Sequence, residues 1–576
     1  MTNPEVVAIL ERIGDLLEIK GESRFKVIAY RKAAEQVRDL GRDLAAVHRE
    51  GGLDAIPGFG AAIAAKVAEL LDTGSLGYYT KLTEEIPASL AELLRVPDMG
   101  PKKVKLLWEQ LGVVDLPGLA AAAAAGRLRD LPGMGEKSEA RILAGIQAMA
   151  TRSDRAPLGD ALPVAEAIAA DLRALPGVVA VEPAGSLRRR KETVGDLDIL
   201  AAAVDAAPVI QAFVSRPDVG RILGQGPVKA SVELVTGMRA QLWVHPPAHF
   251  GSALLYATGS KDHNVALREF ALAQGLSLSE HGLKRLADGE EIRFATETAL
   301  YAALGLPFIA PELREGRGEV AAARAGRLPR LVEASDVVST LHNHSDWSDG
   351  KATILEMAEA AIARGLKVLA ITDHSGGLGI TQGPKEKDLP RQREAVRAAQ
   401  VRLGDRIRLL QGSEVEIRAD GSLDFSDAAL AQLDIVVASM HVSLRQSRDQ
   451  VTARMLAAIH NPHVDIIGHP TGRMIPDRAR ADLDLDAVLA AAATTGVALE
   501  INANPRRLDL SDVLARRALE AGCLLSINTD AHQPDHFDFL HFGVAVARRA
   551  GAEPERIINC WTPERLLAWL ADRGRP

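Results

Sequence analysis

The C-terminal part of the 576-residue chain carries an ordered series of side chains that could bind metal ions. His and carboxylate side chains are the usual protein ligands of zinc, manganese and iron. A single histidine of this kind is more often a packed core or loop residue, but the ordered set predicts a metal site. Its members lie in or just after the motifs LHNH, TDH, GSE, SMH, GHP and NTDAH, and they are His342, His344, Asp349, His374, Glu414, His441, His469, Asp530 and His532.

Several of these motifs end runs of apolar residues that are typical of buried parallel strands. The runs are KVLAITDH (367–374), DIVVASMH (434–441), VDIIGHP (464–470) and CLLSINTDAH (523–532). Barrel enzymes assemble their chemistry at the C-terminal ends of their strands. The sequence therefore predicts parallel strands whose ends bring the ligands together.

This pattern resembles the PHP (polymerase and histidinol phosphatase) domain over roughly residues 338–576. The resemblance implies a distorted seven-stranded β/α barrel with up to three ions, for which we expect Mn²⁺ or Zn²⁺. Closely spaced divalent ions predict phosphoester hydrolysis without a covalent intermediate. Carried over by position, the ligands of one ion would be His342, His344, Glu414 and Asp530. Those of a second ion would be Glu414, His441 and His469, and those of a third would be Asp349, His374 and His532.

Composition limits the other possibilities. The length suggests about four domains of about 150 residues, and the net charge of −8 means that any DNA binding must come from local sites. Only Cys523 and Cys560 are cysteines, which favours a reducing compartment over a disulfide framework. With neither a charged-then-apolar leader nor a long apolar run, we expect a cytoplasmic monomer without membrane contact.

A repeated motif in the N-terminal part predicts DNA binding. The segments IPGFGAAIAAKV (56–67), VPDMGPKKVKLL (96–107) and LPGMGEKSEARI (131–142) have the helix-hairpin-helix pattern, in which a Gly-rich turn brings backbone N–H groups to a phosphate without reading sequence. Asp98 departs from the pattern and would repel a phosphate, so the second hairpin either binds weakly or only packs. The candidate DNA-binding glycines are Gly58, Gly60, Gly100, Gly133 and Gly135.

The segment GSLRRRKETVGDLDIL, which begins at Gly185, has the pattern of a nucleotidyltransferase. Asp196 and Asp198 are two residues apart, so on a strand they project from one face and could share metal ions. Gly185, Ser186 and Arg188 could contact triphosphate oxygens. The alternative is a solvated basic loop before an ordinary acidic strand.

Together these segments resemble a bacterial family X DNA polymerase that carries a C-terminal PHP domain. The resemblance implies a multidomain α+β and α/β protein that acts on gapped, nicked or primer–template DNA with deoxynucleoside triphosphates, and Mg²⁺ or Mn²⁺ in the palm. Tyr256, Gly259, Ser260 and Asn264 would contact the nucleotide. The implied domains are 1–85 (lyase-like, with the first hairpin), 86–150 (fingers), 151–245 (palm), 246–316 (thumb-like), 317–337 (linker) and 338–576 (PHP).

Two departures from the family pattern affect the polymerase site. Gln241 stands where a third carboxylate is expected, and Ala257 stands where an aromatic residue usually lines the sugar. A two-residue turn at Thr236–Gly237 would place Glu233 opposite Ala240, on the other face from Gln241. Without a third carboxylate, we expect DNA synthesis to be impaired.

Lys66 occupies the position of the family's Schiff-base lysine, which would give a 5′-deoxyribose phosphate lyase. A lysine that only contacts phosphate or solvent is the alternative.

Three functions stay open at this point. The favoured one is a repair enzyme for gapped or damaged DNA, with a 3′–5′ exonuclease and an abasic-site endonuclease as activities of the PHP site. The second is a gap-filling polymerase with PHP proofreading. The third is a DNA-binding scaffold whose barrel holds metals only for stability.

Overall fold

The structure is a computed structural model that describes residues 1, 3–39, 44–56, 58–94, 96, 99–149, 155–377, 381 and 383–572. Tertiary contacts divide the chain into two compact units, Met1–Asp154 and Arg155–Pro576. Among these residues, no helix has the length and apolar character needed to cross a membrane.

The described part of the first unit is helical. Each of its three hairpins places a glycine directly before a helix: Gly60, Gly100 and Gly135 precede Ala61, Pro101 and Glu136. Asp98 lies outside the described residues. The helices are Asn3–Lys20, Arg24–Asp39, Leu44–Arg49, Ala61–Thr73, Gly77–Glu85, Leu90–Leu93, Pro101–Leu111, Leu116–Ala124 and Glu136–Met149, with a 3₁₀ turn at Leu53–Ala55.

Residues 155–338 form a five-stranded mixed sheet, a three-stranded sheet and a two-stranded antiparallel sheet. The strands are β1 (Ala156–Pro157), β2 (Val178–Pro183), β3 (Thr193–Val194), β4 (Asp196–Ala203), β5 (Val219–Gln225), β6 (Lys229–Leu234), β7 (Arg239–His245), β8 (Leu276–Ser279), β9 (Gly282–Arg285) and β10 (Glu291–Ile292). The five-stranded sheet has the order β2-β4-β7-β6-β5, in which β4 and β7 are parallel and the other neighbours are antiparallel.

Helices pack around these sheets and connect them to the C-terminal barrel. They are Leu158–Arg173, Gly185–Arg188, Ala207–Val214, Phe250–Thr258, Lys261–Leu272, Glu297–Ala303 and Glu319–Arg324, with 3₁₀ turns at Pro247–His249, Pro311–Leu313 and Ala334–Asp336.

The connection between β6 and β7 differs from the expected two-residue turn. Leu234 and Met238 close a three-residue loop, in which Gly237 has φ +84° and donates its N–H to Leu234 at 2.8 Å. Such a loop adds one residue to the hairpin and shifts the register. The expectation for Glu233 was therefore wrong: it pairs with Arg239 and shares the sheet face of Gln241.

Residues 339–572 form the predicted parallel barrel. Its strands are β11 (Ser339–Thr340), β12 (Val368–Ile371), β13 (Arg408–Glu416), β14 (Ile435–Ser439), β15 (Ile466–Ile467), β16 (Ala498–Asn502) and β17 (Leu525–Asn528). Neighbouring strands pair in sequence order, and a parallel bridge between Asn343 and Ala531 joins the first strand's end to the last. The expected seven-stranded barrel is thus confirmed.

Helices alternate with the barrel strands. They are Ile354–Ala363, Leu389–Leu403, Asp427–Leu430, Arg448–Ile459, Leu485–Thr495, Asp512–Glu520, Leu540–Ala550 and Pro563–Ala571. The 3₁₀ turns are Glu386–Asp388, Gly404–Arg406, Pro534–Phe539, Pro554–Arg556 and Ile558–Cys560.

Alternation along the strands explains why polar side chains gather at one end of the barrel. One face of the strands forms an apolar core, to which Trp561 and Leu566 also contribute. Because side chains two apart on a strand share a face, Leu410 of that core is in phase with Glu414, and Val437 is in phase with Ser439. The same face therefore changes from apolar to polar towards the strands' C-terminal ends.

A buried ion cluster joins the barrel to the preceding domains. Arg549, 3% exposed, donates to Asp512 of the barrel at 2.8 Å and to Glu315 at 2.9 Å. Glu315 also contacts Arg189 at 3.0 Å and Lys191 at 3.5 Å. Burial raises the pKa of Glu315, but Arg549, Arg189 and Lys191 outweigh it and lower the pKa to about 2.

We expect the substitution Arg549→Met to lower the free energy of unfolding by about 3–5 kcal/mol at neutral pH, because it removes the most deeply buried partner of two buried carboxylates, Glu315 and Asp512. Urea unfolding of the variant and of Arg548→Met, which alters a more exposed neighbour on the same helix, measures the difference. The control should change stability less than Arg549→Met does, because Arg548 is more exposed and has one carboxylate partner, Glu312, instead of two.

The effect of Arg549→Met should also depend on pH. The folded-state pKa of Glu315, about 2, lies below the ordinary value of 4.5. Its stabilising contribution is therefore complete above pH 4.5 and is lost as the pH falls towards 2. The stability gap between wild type and variant should shrink between neutral pH and pH ~3, and a constant gap would contradict this assignment.

Candidate active sites

Glu414 on β13 is the centre of the barrel pocket. It is 1% exposed. Each of five histidines has a ring nitrogen within 3.7 Å of one or the other oxygen of this carboxylate. These contacts are His342 at 3.3 Å, His344 at 3.6 Å, His374 at 2.8 Å, His441 at 3.3 Å and His469 at 2.9 Å. The structure thus brings five histidines from four separated motifs to a single carboxylate.

The pocket contains three groups whose ligand atoms lie close enough to share an ion. They are His342, His344 and Asp530; His374, Glu414 and His441; and His344, Asp349, His374 and His532. The division differs from the one carried over by position, since His344 and His374 each belong to two groups. His469 falls outside the three groups but contacts Glu414 directly.

The sequence reasoning did not identify the carboxylates that orient these histidines. Glu500 on β16 lies 2.8 Å from Nδ1 of His342 and accepts the backbone N–H of His469 at 2.6 Å. Glu416 on β13 lies 2.7 Å from Nδ1 of His441. Such partners fix the tautomer and the ring orientation of a ligand histidine. A lone acidic residue in the apolar run VALEIN was the available signal for Glu500.

The carboxylates of the pocket also determine where protons reside. Burial lowers the pKa of His441, but Glu414 and Glu416 outweigh it and raise the pKa to about 9. By contrast, burial and the neighbouring His532 lower the pKa of His344 to about 3. Divalent ions bound to the same side chains would take the place of these protons.

The donor atoms of the pocket fit divalent metal ions. Nε2 of His342 and Oε2 of Glu414 are buried and form no well-aligned hydrogen bond, although Nδ1 of His374 lies 2.8 Å from Oε2. Buried lone pairs without a donor are rare and unfavourable, and imidazole nitrogen and carboxylate oxygen are the atoms that such ions take from proteins. The pocket therefore has the composition and the unsatisfied atoms expected of a multi-ion centre.

The palm carboxylates lie beside Gln241 on the adjacent parallel strand. Asp198 pairs in register with Gln241, and Nε2 of Gln241 donates to Oδ2 of Asp196 at 3.2 Å. Burial, and then the charge of Asp196, raise the pKa of Asp198 to about 6. Gly185 packs against Asp198 so closely that a Cβ atom there would lie 2.2 Å from Oδ2. The turn and the two carboxylates thus form one compact site.

The candidate phosphate ligand Arg188 already has protein partners. It contacts Oγ1 of Thr258 at 2.7 Å and both carboxylate oxygens of Glu297, at 3.0 and 2.6 Å. Ser186, half-buried, lies in the same short helix, Gly185–Arg188. A triphosphate would therefore compete with Glu297 for this guanidinium.

The four candidate nucleotide contacts lie in one short stretch of chain, in which Tyr256 is exposed, Ser260 is half-buried, and Gly259 and Asn264 are buried. Tyr256 is 48% exposed, and its carbonyl oxygen accepts from Nδ2 of Asn264 at 2.8 Å. Ser260 caps the helix Lys261–Leu272, and Gly259 precedes it with φ +68°. Ala257 packs partly against the core cluster that contains Phe250, so the expected aromatic contact is replaced by a short side chain.

In the N-terminal unit, Lys66 lies beside two stacked tyrosines. Its Nζ is 5.2 Å from the ring centre of Tyr78, which stacks on Tyr30 at 5.9 Å. The same Nζ donates to the carbonyl oxygen of Ala62, one turn earlier, at 3.1 Å. Gly58 and Gly133 have φ values of +85° and +76°, which glycine adopts without the penalty of a side chain.

Comparison with known families matches four parts of the chain. Residues 1–76 match a helix-hairpin-helix domain, residues 90–148 a SAM-like helix-hairpin-helix tandem, residues 253–315 the DNA polymerase beta thumb, and residues 340–504 the PHP domain. These matches account for both the hairpins and the barrel.

Curated relatives extend the comparison. The DNA polymerase/3′-5′ exonuclease PolX of Bacillus subtilis is 36% identical over 574 residues, which is 99% of each chain. A probable phosphatase of Edwardsiella ictaluri is 32% identical over 249 residues, 41% of this chain and 95% of that protein. Another, of Caldanaerobacter subterraneus, is 33% identical over 255 residues, 42% of this chain and 93% of that protein. The near-complete match shows that this chain belongs to the family X DNA polymerases with helix-hairpin-helix domains, a polymerase thumb and a C-terminal PHP domain.

Proposed function

We propose that this chain is a metal-dependent repair enzyme for gapped or damaged DNA, whose PHP site hydrolyses phosphodiester bonds as a 3′–5′ exonuclease. The observation that carries the proposal is the convergence of five histidines on the buried carboxylate of Glu414. The name of the Bacillus subtilis relative includes both a DNA polymerase and a 3′-5′ exonuclease. The helix-hairpin-helix segments also supply backbone groups that are suited to DNA phosphates.

The barrel residues would divide the work of hydrolysis. Up to three bound Mn²⁺ or Zn²⁺ ions would lower the pKa of a bound water and neutralise the phosphate oxygens. The three ligand groups would hold these ions, while Glu500 and Glu416 orient the rings of His342 and His441. The same chemistry would cut at an abasic site if that part of the DNA reached the barrel mouth.

We further propose that DNA synthesis is impaired. Asp196 and Asp198 remain to bind Mg²⁺ or Mn²⁺, but the third position holds the neutral amide of Gln241. This amide donates a hydrogen bond to Asp196, so it occupies a lone pair that a metal would use. The amide also cannot accept the proton of a primer hydroxyl. Gln241 would therefore supply neither the metal ligand nor the proton acceptor that a carboxylate provides.

A gap-filling polymerase with PHP proofreading is the second candidate. The palm keeps its paired carboxylates, and Tyr256 and Asn264 lie together in the segment expected to contact a deoxynucleoside triphosphate. A scaffold with structural metals is a weaker candidate, because a stabilising ion does not require three adjoining ligand groups. Lys66 would serve a lyase only if it left Ala62 to attack a sugar aldehyde.

Substitution of His344 tests the nuclease. His344→Ala removes a member of two ligand groups and should lower the shortening of a 5′-labelled primer on gapped DNA with Mn²⁺ at least about 100-fold. The control His460→Ala alters an exposed histidine whose Nδ1 lies 2.7 Å from the carbonyl oxygen of Leu456, one turn earlier, and it should retain activity. Equal activity of both variants would place the nuclease elsewhere.

Restoring a carboxylate at position 241 tests the palm. Gln241→Asp should raise primer extension by at least about tenfold, because it restores both a metal ligand and a proton acceptor. Ser231→Asp is the matched control: Ser231 pairs with Gln241 on the same sheet face, one strand farther from Asp198. Native extension as fast as that of Gln241→Asp would favour the gap-filling function.

Metal removal tests whether bound ions are required, and a substitution at Glu500 tests whether this carboxylate orients their ligands. Chelation should abolish primer shortening and lower the unfolding temperature, and Mn²⁺ should restore both. Glu500→Gln should weaken metal affinity about 10- to 100-fold, measured as bound metal by mass spectrometry against free-ion concentration. Glu359→Gln, which alters an exposed carboxylate paired with Arg406, serves as the control. Unchanged metal affinity in Glu500→Gln would contradict its orienting role.

A further inference from the structure

Arg507 lies at the edge of the metal pocket with little to bind. Its side chain is 15% exposed, and Nε lies 3.6 Å from Oδ2 of Asp530, which is beyond ordinary hydrogen-bond length. Among the residues that the structure describes, none accepts a hydrogen bond from the Arg507 guanidinium. The Arg507 side chain, which has five N–H donors, therefore lies within range of the charges of Asp530 and Asp509, but among the described residues it donates a hydrogen bond to neither.

The backbone around Arg507 is held firmly. Its N–H donates to the carbonyl oxygen of Asn504 at 2.7 Å, and its own carbonyl oxygen accepts from Nε of Arg473 at 2.9 Å. Asn504 in turn donates its N–H to Oδ1 of Asn502, at the end of β16, at 3.0 Å. The turn that carries Arg507 is thus fixed to a strand of the pocket, so the backbone from which the guanidinium extends is held at the pocket edge.

Asp530 does not satisfy the hydrogen-bonding capacity of Arg507, because both of its carboxylate oxygens have other partners. Its Oδ1 lies 3.0 Å from Nε2 of His344, and its Oδ2 accepts from Nδ2 of Asn502 at 3.2 Å. Asp530 also belongs to one of the three ligand groups, so its charge is required inside the pocket. Burying a guanidinium is unfavourable unless an anion accepts its hydrogen bonds.

We propose that Arg507 binds a non-bridging oxygen of the phosphodiester that the PHP site hydrolyses. A guanidinium matches phosphate geometry and remains charged at every working pH. The proposal rests on the nuclease function proposed above and adds a catalytic residue that is not a metal ligand. It also accounts for a positively charged side chain at the edge of a pocket whose residues would bind cations.

The guanidinium would act when charge builds up on the phosphate. The oxygen of a water molecule bonds to phosphorus, and the P–O3′ bond breaks with its electron pair on O3′. One water proton ends on O3′ and the other is released as the 5′-phosphate product ionises. A donor aimed at the non-bridging oxygen stabilises the added charge in the transition state more than in the ground state.

The test compares Arg507→Met and Arg507→Lys with the control Arg506→Met, which alters the exposed neighbour in the same turn. Three quantities are measured on Mn²⁺-loaded protein: bound metal, the affinity for inorganic phosphate by calorimetry, and kcat and KM on a single-stranded oligonucleotide. In Arg507→Met, metal content should stay unchanged, phosphate affinity should fall about tenfold and kcat/KM about 100-fold. Arg507→Lys should be intermediate, and Arg506→Met should stay within about twofold of wild type in each quantity.

Two results would overturn the proposal. A loss of bound metal in Arg507→Met would mean that Arg507 acts through Asp530. Phosphate affinity equal to that of wild type would mean that the guanidinium does not bind the substrate. The phosphate titration does not depend on turnover, so a native protein that fails to shorten DNA would overturn the nuclease function while Arg507 is still tested.

Discussion

The barrel depends on keeping one carboxylate, Glu414, buried among five histidines. These residues come from five strand ends, so small errors in strand register would separate them. Parallel pairing keeps these residues together, because it brings the C-terminal ends of all the strands to the same end of the barrel. There the bridge between Asn343 and Ala531 joins the first strand to the last. The apolar half of the interior supplies the stability that this crowded polar half does not.

The two candidate sites use the same geometry with different chemistry. In both, acidic side chains project from one face near the edge of a parallel strand pair. In the barrel, histidines surround Glu414 and can exchange their protons for metal ions. In the palm, Asp196 accepts a hydrogen bond from the amide of Gln241, which carries no charge. Gln241 thus contacts Asp196 without adding negative charge beside it.

Some of this could be predicted from sequence and some could not. Apolar runs that end in His or Asp identify the barrel strands and the ligands, because strand ends and ligand types are both local signals. The register at Gln241 depends on loop length, and the third loop residue changed which face Glu233 occupies. Glu500 was missed because its partners, His342 and His469, are distant in sequence. The division of ligands among ions also depends on distances between strands.

The palm and the barrel share part of their interior, so each depends on the other for some of its buried contacts. Arg549 of the barrel finds acceptors in Glu315 and in the carbonyl oxygen of Arg189, at 2.9 and 2.5 Å. At Gly159, a Cβ atom would lie 2.4 Å from that of Pro505, in the turn that also carries Arg507. Loss of the palm would therefore expose buried charges and remove support from one edge of the metal pocket, whether or not the palm still joins nucleotides.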